Sequence, residues 1–251
     1  MRFTVLGSGT ARPDADRGPA GFLVTTGGKS WLVDGGSGTL QRCAKAGVEP
    51  VDLAGGIYSH IHPDHTGDLV PLLFALRHAP PPRHIPYPIW AGKGFARFLA
   101  TIREAYGSYG EWLFEHTPVT EHALQPDQVS ELGGLRLRTS PATHSGFALH
   151  LRFEADGLAV VFSGDTGPSE HLIELCRGAD LLVCECALPA GSDYGKHLSA
   201  PQIAHIVRQS GVPEVWITHL YPDVDAGRAV ATLRETGAKV HRARDGDVWT
   251  Q

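Results

Sequence analysis

The chain has 251 residues, of which 42% are hydrophobic and 20% are charged, and its formal net charge is −5. These values are typical of a soluble globular protein with a sizeable core, and they exclude the overall basic charge of a generic nucleic-acid-binding domain. No apolar run reaches the roughly 18 to 20 residues of a membrane span, and no signal-peptide pattern precedes the first predicted strand. The length allows one or two domains, and we predict a single domain over residues 1–251.

The hydrophobic pattern alternates short strands with helices along the whole chain. In the first part it predicts strands at 2–6, 21–25, 30–33, 55–58 and 85–90, with helices at 38–46, 69–78 and 94–106. In the second part it predicts strands at 135–139, 147–153, 158–163, 180–186 and 214–218, with helices at 169–177, from 199 to about 210, and at 226–236. Residues 107–131 carry too weak a pattern to assign. Two strand-rich halves with helices predict an α/β (α+β) fold in which two sheets pack face to face.

The cysteines indicate a reducing compartment. Cys43, Cys176, Cys184 and Cys186 form no C-x-x-C pair, which argues against a zinc ribbon or a dithiol redox motif. Free cysteine behaves as a small hydrophobic residue, so we predict reduced structural thiols and a cytoplasmic protein. Histidine, in contrast, is unusually abundant, with 14 copies.

The segment His60-Ile61-His62-Pro63-Asp64-His65 carries the strongest chemical signal. Residues i and i+2 of an extended chain point to the same side, so His60 and His62 can share one metal ion. The turn at Pro63 then redirects Asp64 and His65 toward a second ion. Imidazole and carboxylate ligands without a thiolate suit a catalytic zinc, manganese or iron centre rather than a closed structural zinc site.

Three further candidate ligands lie at the ends of predicted strands. His144 precedes a strand, whereas Asp165 and His219 each directly follow one. Each is a weak signal alone, because a single histidine or a Gly-Asp turn is common in any protein. Together with the 60–65 segment they supply enough ligands for two divalent metal ions.

These residues resemble the five ordered motifs of the metallo-β-lactamase superfamily, over essentially the whole chain. The motifs match Asp34, the 60–65 segment, His144, Asp165 and His219. The resemblance implies a four-layer αββα sandwich with a dinuclear centre at one edge. It assigns His60, His62 and His144 to the first metal and Asp64, His65 and His219 to the second, with Asp165 bridging both. Asp34 would support the centre from behind.

Further features resemble ribonuclease Z and its phosphodiesterase relatives. The glycine loop that begins at Gly7 and includes Arg17 is similar to the N-terminal loop of that family. Glu185 stands in a strand end similar to its His-Glu-Ala-Thr motif, and His197 in a helix start similar to its His-Ser-Thr motif. The resemblance implies that Glu185 orients His197, which would face the scissile phosphate. His62 stands where flavodiiron reductases carry glutamate, and Asp165 where true β-lactamases carry cysteine, which argues against both activities.

The chemistry implied is phosphodiester hydrolysis. Two divalent cations, most simply Zn²⁺ with Mn²⁺ or Fe²⁺ as alternatives, lower the pKa of a bridging water and clamp phosphate oxygens. Asp64 or Asp165 would steer the resulting hydroxide. His197 would stabilise the transition state or protonate the leaving oxygen.

Several departures argue against processing of tRNA. The segment 145–164 is only 20 residues long, which leaves no room for the protruding arm that ribonuclease Z uses to grip tRNA. Leu220-Tyr221-Pro222-Asp223 replaces the family's Ser-x-Arg-Tyr, and Pro63 and Asp68 replace glycines. We therefore expect a small or flexible phosphodiester, with RNA as an open option. The basic, proline-rich segment 77–84 is either a substrate-entry loop or a stiff connection.

Two alternative functions remain open at this stage. Tyr194 and Tyr221 lie near motif residues, and the lactone-hydrolysing relatives place a tyrosine at their site, so the substrate could be a lactone, ester or thioester. A metal-sensing or scaffolding protein with the same fold is the third hypothesis, which the complete ligand set disfavours. The resemblance also implies a homodimer.

Overall fold

The computed structural model of the chain describes all residues except 80, 82, 84, 118 and 193. Its first sheet contains β1 (Arg2–Gly7), β2 (Gly21–Thr26), β3 (Lys29–Gly35), β4 (Gly55–Tyr58), β5 (Tyr87–Gly92), β6 (Val119–Leu124) and β14 (Val248–Thr250). Its second sheet contains β7 (Val129–Glu131), β8 (Arg136–Pro141), β9 (Leu149–Ala155), β10 (Leu158–Phe162), β11 (Leu181–Glu185), β12 (Glu214–Thr218) and β13 (Lys239–Arg242). The strand orders are β14-β1-β2-β3-β4-β5-β6 and β13-β12-β11-β10-β9-β8-β7.

Helices cover the outer face of each sheet. The helices of the first half are α1 (Thr39–Lys45), α2 (Pro63–Thr66), α3 (Leu69–His78), α4 (Phe95–Ala105) and α5 (Gly107–His116). Those of the second half are α6 (Glu170–Cys176), α7 (Ala200–Ser210) and α8 (Ala226–Arg234). In the described part of the chain, none of them has both the length and the apolar character needed to span a bilayer.

Apolar clusters fill the space between the layers and hold them together. The central one lies between the two sheets, where the rings of Phe22 and Phe162 meet with centroids 4.8 Å apart. A second cluster joins the second sheet to α6, α7 and α8, and a third joins the first sheet to α1, α3, α4 and α5. This is the αββα sandwich that the resemblance implied, and the predicted fold class is confirmed.

The strand directions determine where the functional side chains meet. Neighbours β3, β4 and β5 run parallel, as do β10, β11 and β12 in the other sheet. Since parallel strands end at the same edge of a sheet, the residues that follow them gather there, where binding sites of open α/β sheets occur. The 60–65 segment, Asp165, Glu185 and His219 all come from such strand ends.

Some predicted boundaries are wrong, and the reasons are physical. Strand β9 begins at Leu149, so Phe147, which was predicted to lie in it, belongs to the preceding loop and is exposed. Strand β5 begins two residues after the exposed Ile85. The unassigned 107–131 stretch folds as α5, β6 and β7, and it lacks a clear pattern because β6 is mostly exposed.

The four cysteines are free and buried, as predicted. Burial raises the pKa of Cys43, Cys176 and Cys186 to about 12, so these thiols stay protonated at neutral pH. They act as core residues.

His150 makes the stability of the fold depend on pH. Its ring is completely buried, with Nδ1 2.6 Å from the Ser163 carbonyl oxygen and Nε2 3.2 Å from Ser169 Oγ. Burial lowers the pKa of His150 to about 4. Between pH 6.5 and 4, His150 therefore binds a proton in the unfolded chain but not in the folded chain. The free energy of unfolding consequently falls as pH falls. The expected loss is about 2 kcal/mol by pH 5 and about 3 kcal/mol by pH 4.

Urea unfolding of metal-free protein at pH 7.5 and pH 5 tests this expectation. His150→Gln should be less stable than the parent at pH 7.5, and that difference should shrink by about 2 kcal/mol at pH 5. His205→Gln, which changes an exposed histidine on α7, is the matched control and should track the parent at both pH values. If the unfolding free energies of His150→Gln and the parent differ by the same amount at both pH values, the low pKa of His150 is contradicted.

Candidate metal centre

The 60–65 segment is held in place by a carboxylate behind it. Asp34, fully buried at the end of β3, accepts hydrogen bonds from the backbone N–H and the hydroxyl of Ser59, both at 2.7 Å. Asp34 Oδ2 also lies 2.7 Å from His65 Nδ1, and Ser59 Oγ lies 3.0 Å from His60 Nδ1. Asp34 thus fixes the Nδ1 side of His65 and leaves its Nε2 facing inward, as carboxylates behind metal-ligating histidines commonly do.

Among the described residues, the potential metal ligands form two groups of four and a smaller third group of Asp165, Glu185 and His197. The first contains His60, His62, His144 and Asp165, and the second contains Asp64, His65, Asp165 and His219. Within each group the potential ligand atoms lie within 4.8 Å of one another. These are the residues that the resemblance assigns to the two metals, and the structure brings all seven of them to one place. Their role as metal ligands stays a prediction.

Asp165 stands between the two groups, with one oxygen directed to each. Its Oδ1 is 3.3 Å from His65 Nε2 and 3.0 Å from His219 Nδ1. Its Oδ2 is 3.8 Å from His60 Nε2 and 3.9 Å from His144 Nε2. Burial acts to raise the pKa of Asp165, but the imidazoles of His219 and His65 outweigh it and hold that pKa well below its usual range.

The unpaired nitrogens of the cluster fit divalent cations. The Nε2 atoms of His60, His65 and His219 are buried and have no hydrogen-bond partner among the described residues, although a buried polar atom without a partner is costly. The pKa of His65 is raised well above its usual value, because Asp165 and Asp34 outweigh the opposing effect of burial. The cluster therefore attracts positive charge, and imidazole with carboxylate suits zinc, manganese or iron.

His219 depends on the glycine loop at the start of the chain. Its backbone lies in the left-handed region, with φ +55°, and its N–H donates to the Ser8 carbonyl at 3.1 Å. Asp245 in turn accepts the Ser8 N–H and hydroxyl, both at 2.8 Å. A side chain at Gly7 would collide with the Pro19 carbonyl, so glycine is required for this close approach. Sequence reasoning missed both Ser8 and Asp245.

His144 and Glu185 are also positioned by backbone contacts. His144 Nδ1 donates to the Lys196 carbonyl at 2.9 Å, which directs its Nε2 toward His62. Glu185, buried at the end of β11, accepts backbone N–H groups from Thr166, Ala187 and Leu198 at 2.8, 3.1 and 3.3 Å. These donors keep the carboxylate in a fixed orientation.

Glu185 and His197 form a pair beside the two groups. Glu185 Oε1 is 2.8 Å from His197 Nδ1, and the His197 ring lies 4.9 Å from that of His144. Burial acts to lower the pKa of His197, but the hydrogen bond and charge of Glu185 outweigh it and raise the pKa. With Nδ1 bonded to Glu185, Nε2 is the nitrogen of His197 that can meet a ligand.

Two tyrosines flank the histidines of the cluster. The Tyr221 ring stacks against His219 at 5.9 Å, and the Tyr194 ring stacks against His197 at 6.0 Å. Burial, followed by the charge of Asp64, raises the pKa of Tyr221, so its hydroxyl stays a hydrogen-bond donor.

Other sequence features have structural roles. Arg83 donates through Nη1 to the carbonyls of Val51 and Leu53, both at 2.9 Å, so this cation stiffens a connection and is not free for a substrate. Pro80, Pro82 and His84 of the same segment lie outside the described residues. Asp68, the departure from a family glycine, accepts the N–H groups of Gly38 and Leu40 and so secures the start of α1.

Comparisons with known proteins agree with this architecture. A family profile described as Beta-lactamase superfamily domain matches residues 30–220. Ribonuclease Z of Mycobacterium avium (strain 104) is 33% identical, over 97% of this chain and 98% of that protein. The metallo-beta-lactamase fold protein YhfI from Bacillus subtilis superposes with a TM-score of 0.86 at 25% identity, over 99% of this chain and 98% of that one.

Human tRNase Z, short form, shares the fold alone, with a TM-score of 0.77 at 19% identity over 100% of this chain and 99% of that one. The family profile covers most of the chain, and the mycobacterial relative covers nearly all of it. The resemblance noted from the motifs is therefore confirmed. The chain belongs to the beta-lactamase superfamily and is a metal-dependent hydrolase related to ribonuclease Z.

Proposed function

We propose that the chain hydrolyses phosphodiesters at a dinuclear centre of divalent cations. The observation that carries this proposal is the Glu185–His197 pair beside the two ligand groups, because a carboxylate-held imidazole is suited to a phosphate and to its leaving oxygen. The relative from Mycobacterium avium is named a ribonuclease, an enzyme that cleaves phosphodiesters, which supports the same substrate class.

In this proposal His60, His62 and His144 would hold one cation and Asp64, His65 and His219 the other, while Asp165, which belongs to both groups, would serve both. Bound there, such cations lower the pKa of water and offset the charge that builds on a phosphate. Asp64 orients the attacking water. The carboxylate of Asp64 is more accessible to solvent than that of Asp165, and Asp64 Oδ2 lies 3.5 Å from His219 Nε2.

His197 acts on the opposite side of the reaction. Its Nδ1–H donates to Glu185 Oε1, and its Nε2–H donates to the leaving oxygen as the phosphorus–oxygen bond breaks. Glu185 does not touch the substrate in this scheme. It is a positioning residue that fixes the ring and favours the protonated imidazole.

The substrate is a small or flexible phosphodiester. The segment 145–164, all of it described, is taken up by a short loop, β9, β10 and the turn that joins them, which leaves nothing to form a protruding arm. This segment therefore provides no arm to grip a folded tRNA. A short RNA or a nucleotide can bind without such an arm.

The tyrosine stacked on His219 keeps a carboxyl substrate as the second candidate. The Tyr221 hydroxyl can donate to the oxyanion of a lactone, ester or thioester as readily as to a phosphate oxygen. A purely metal-sensing protein is disfavoured, because neither of the two assigned ligand groups needs the Glu185–His197 pair.

Hydrolysis of bis(p-nitrophenyl) phosphate by protein loaded with Zn²⁺ or Mn²⁺ tests the proposal. We expect turnover that a chelator removes, and much weaker turnover of p-nitrophenyl acetate and of a lactone. An inert diester beside a rapidly hydrolysed lactone or ester would transfer the assignment to carboxyl chemistry. Protein that binds metal and hydrolyses none of the three would favour the sensing hypothesis.

We further propose zinc as the native metal, a homodimer in the cytoplasm, and one domain over residues 1–251. The imidazole-rich donor set suits zinc, the free buried thiols suit a reducing compartment, and both sheets contribute ligands to one centre. Metal analysis of protein purified without added metal tests whether zinc is the native metal. Light scattering tests whether the protein is a homodimer.

A further inference from the structure

An apolar cavity opens directly beside the first ligand group. It has a volume of about 350 Å³ and is lined by His60, Ile61, His62, Lys93, Phe95 and Phe147, together with small residues. This volume lies within the range of small-molecule sites. Because His60 and His62 line both the cavity and the candidate centre, a substrate that reacts at the centre can extend one of its arms into the cavity.

Phe147 is an exposed aromatic residue whose ring lies close to the backbone of a neighbouring loop. Its side chain is 56% exposed, yet its ring packs against the backbone of the loop between β5 and α4. A Cβ at Gly94 would lie 3.2 Å from the Phe147 ring, and one at Gly92 would collide with the Phe147 carbonyl. Glycine at both positions lets this loop support one side of Phe147 and leaves its other side toward solvent.

The remaining walls combine an apolar surface with one positive charge. Ile61, between the two histidines, is 47% exposed, and Phe95 forms a buried wall that stacks on Tyr58 at 5.0 Å. Lys93 is exposed, with its Nζ 6.0 Å from the centroid of the Phe147 ring. Exposed large apolar side chains grouped at the rim of a polar centre are typical of a ligand site.

We propose that this cavity binds the base of a nucleotide-type phosphodiester, stacked on Phe147, while Lys93 attracts the adjacent phosphate. A flat, mostly apolar ring matches an aromatic wall and a cavity of this volume, and an attached phosphate suits a cation at the rim. The inference rests on the proposed function for the identity of the reacting group, and it adds that one ester arm of the substrate carries a base. An alkyl phosphodiester fills the same cavity without stacking.

Binding of nonreactive phosphomonoesters separates this inference from hydrolysis. Isothermal titration of Zn²⁺-loaded protein with adenosine 5′-monophosphate and with ribose 5-phosphate compares two ligands that differ only in the base. We expect the base to improve Kd by roughly 5- to 100-fold, the range typical of base–aromatic stacking. Phe147→Ala should remove most of this ratio, and Phe147→Trp should preserve it.

Phe74→Ala is the matched control, because Phe74 is a phenylalanine of similar exposure, 47%, that does not line this cavity. It should leave the ratio unchanged. Equal binding of the two ligands, no binding of the adenine nucleotide at millimolar concentration, or a Phe147→Ala variant with the parental ratio would each overturn the inference. Failure to hydrolyse any diester, with the base effect intact, would overturn the proposed function alone.

Discussion

Replacing Asp165 with alanine is expected to lower diester hydrolysis by at least about 10³-fold, because the contribution of two cations to phosphoryl transfer is several kcal/mol and each 1.36 kcal/mol is a factor of ten. The loss should accompany a drop in bound metal from two ions per chain to less than one. Asp165 is the one carboxylate that both ligand groups share, with Oδ1 directed to His65 and His219 and Oδ2 to His60 and His144.

Elemental analysis after dialysis, together with the rate for bis(p-nitrophenyl) phosphate, measures both effects. The matched control is Asp127→Asn, which removes one negative charge from an exposed turn whose left-handed backbone, φ +59°, asparagine accepts well. It should keep two ions and the parental rate. An Asp165→Ala protein that is folded by circular dichroism and still binds two ions would contradict the shared role of this residue.

Replacing His197 with alanine is expected to slow the reaction by about 10² to 10⁴-fold for a dinucleotide, whose leaving alkoxide needs a proton. The same change should cost less than about tenfold for bis(p-nitrophenyl) phosphate, since p-nitrophenolate leaves without one. Metal content should stay at two ions per chain, because His197 belongs to neither of the two ligand groups assigned to the cations.

Two further variants separate proton donation from other roles. Glu185→Gln keeps a hydrogen-bond acceptor beside His197 Nδ1 but removes its charge, so we expect a smaller loss with the same dependence on the leaving group. Imidazole added to the His197→Ala protein should restore part of the dinucleotide rate. Equal losses for both substrates would indicate that His197 stabilises charge instead, and no loss for either would remove it from the reaction.

The sequence predicted the two ligand groups because their strongest signal is local. His60, His62, Asp64 and His65 fall within six residues, and the change from extended chain to helix α2 at Pro63 explains how they divide between two groups. His144, Asp165 and His219 carry no such signal, and they were identified only through strand ends and family resemblance. Their proximity depends on how two sheets pack, which no local pattern records.

The residues that sequence reasoning missed share a different property. Ser59 holds Asp34 and His60 through its hydroxyl, and it directly precedes the motif, so its position offered a weak signal. The carbonyls of Ser8 and Lys196 act through the backbone, which any residue type could supply. Phe147 was assigned to a strand because hydrophobicity alone does not distinguish a core residue from the wall of a cavity.

The contact between Ser8 and Asp245 joins two residues that are made far apart in time during protein synthesis. Chains lengthen by about 5 to 20 residues per second, so residue 245 follows His62 by roughly 10 to 40 s. During that interval the 60–65 segment has already been made, whereas Asp165, His219 and the carboxylate that holds Ser8 emerge later. A nascent chain therefore carries only part of the candidate ligand set during that interval. The complete set of candidate ligands exists only after strands of both sheets have been made and packed together.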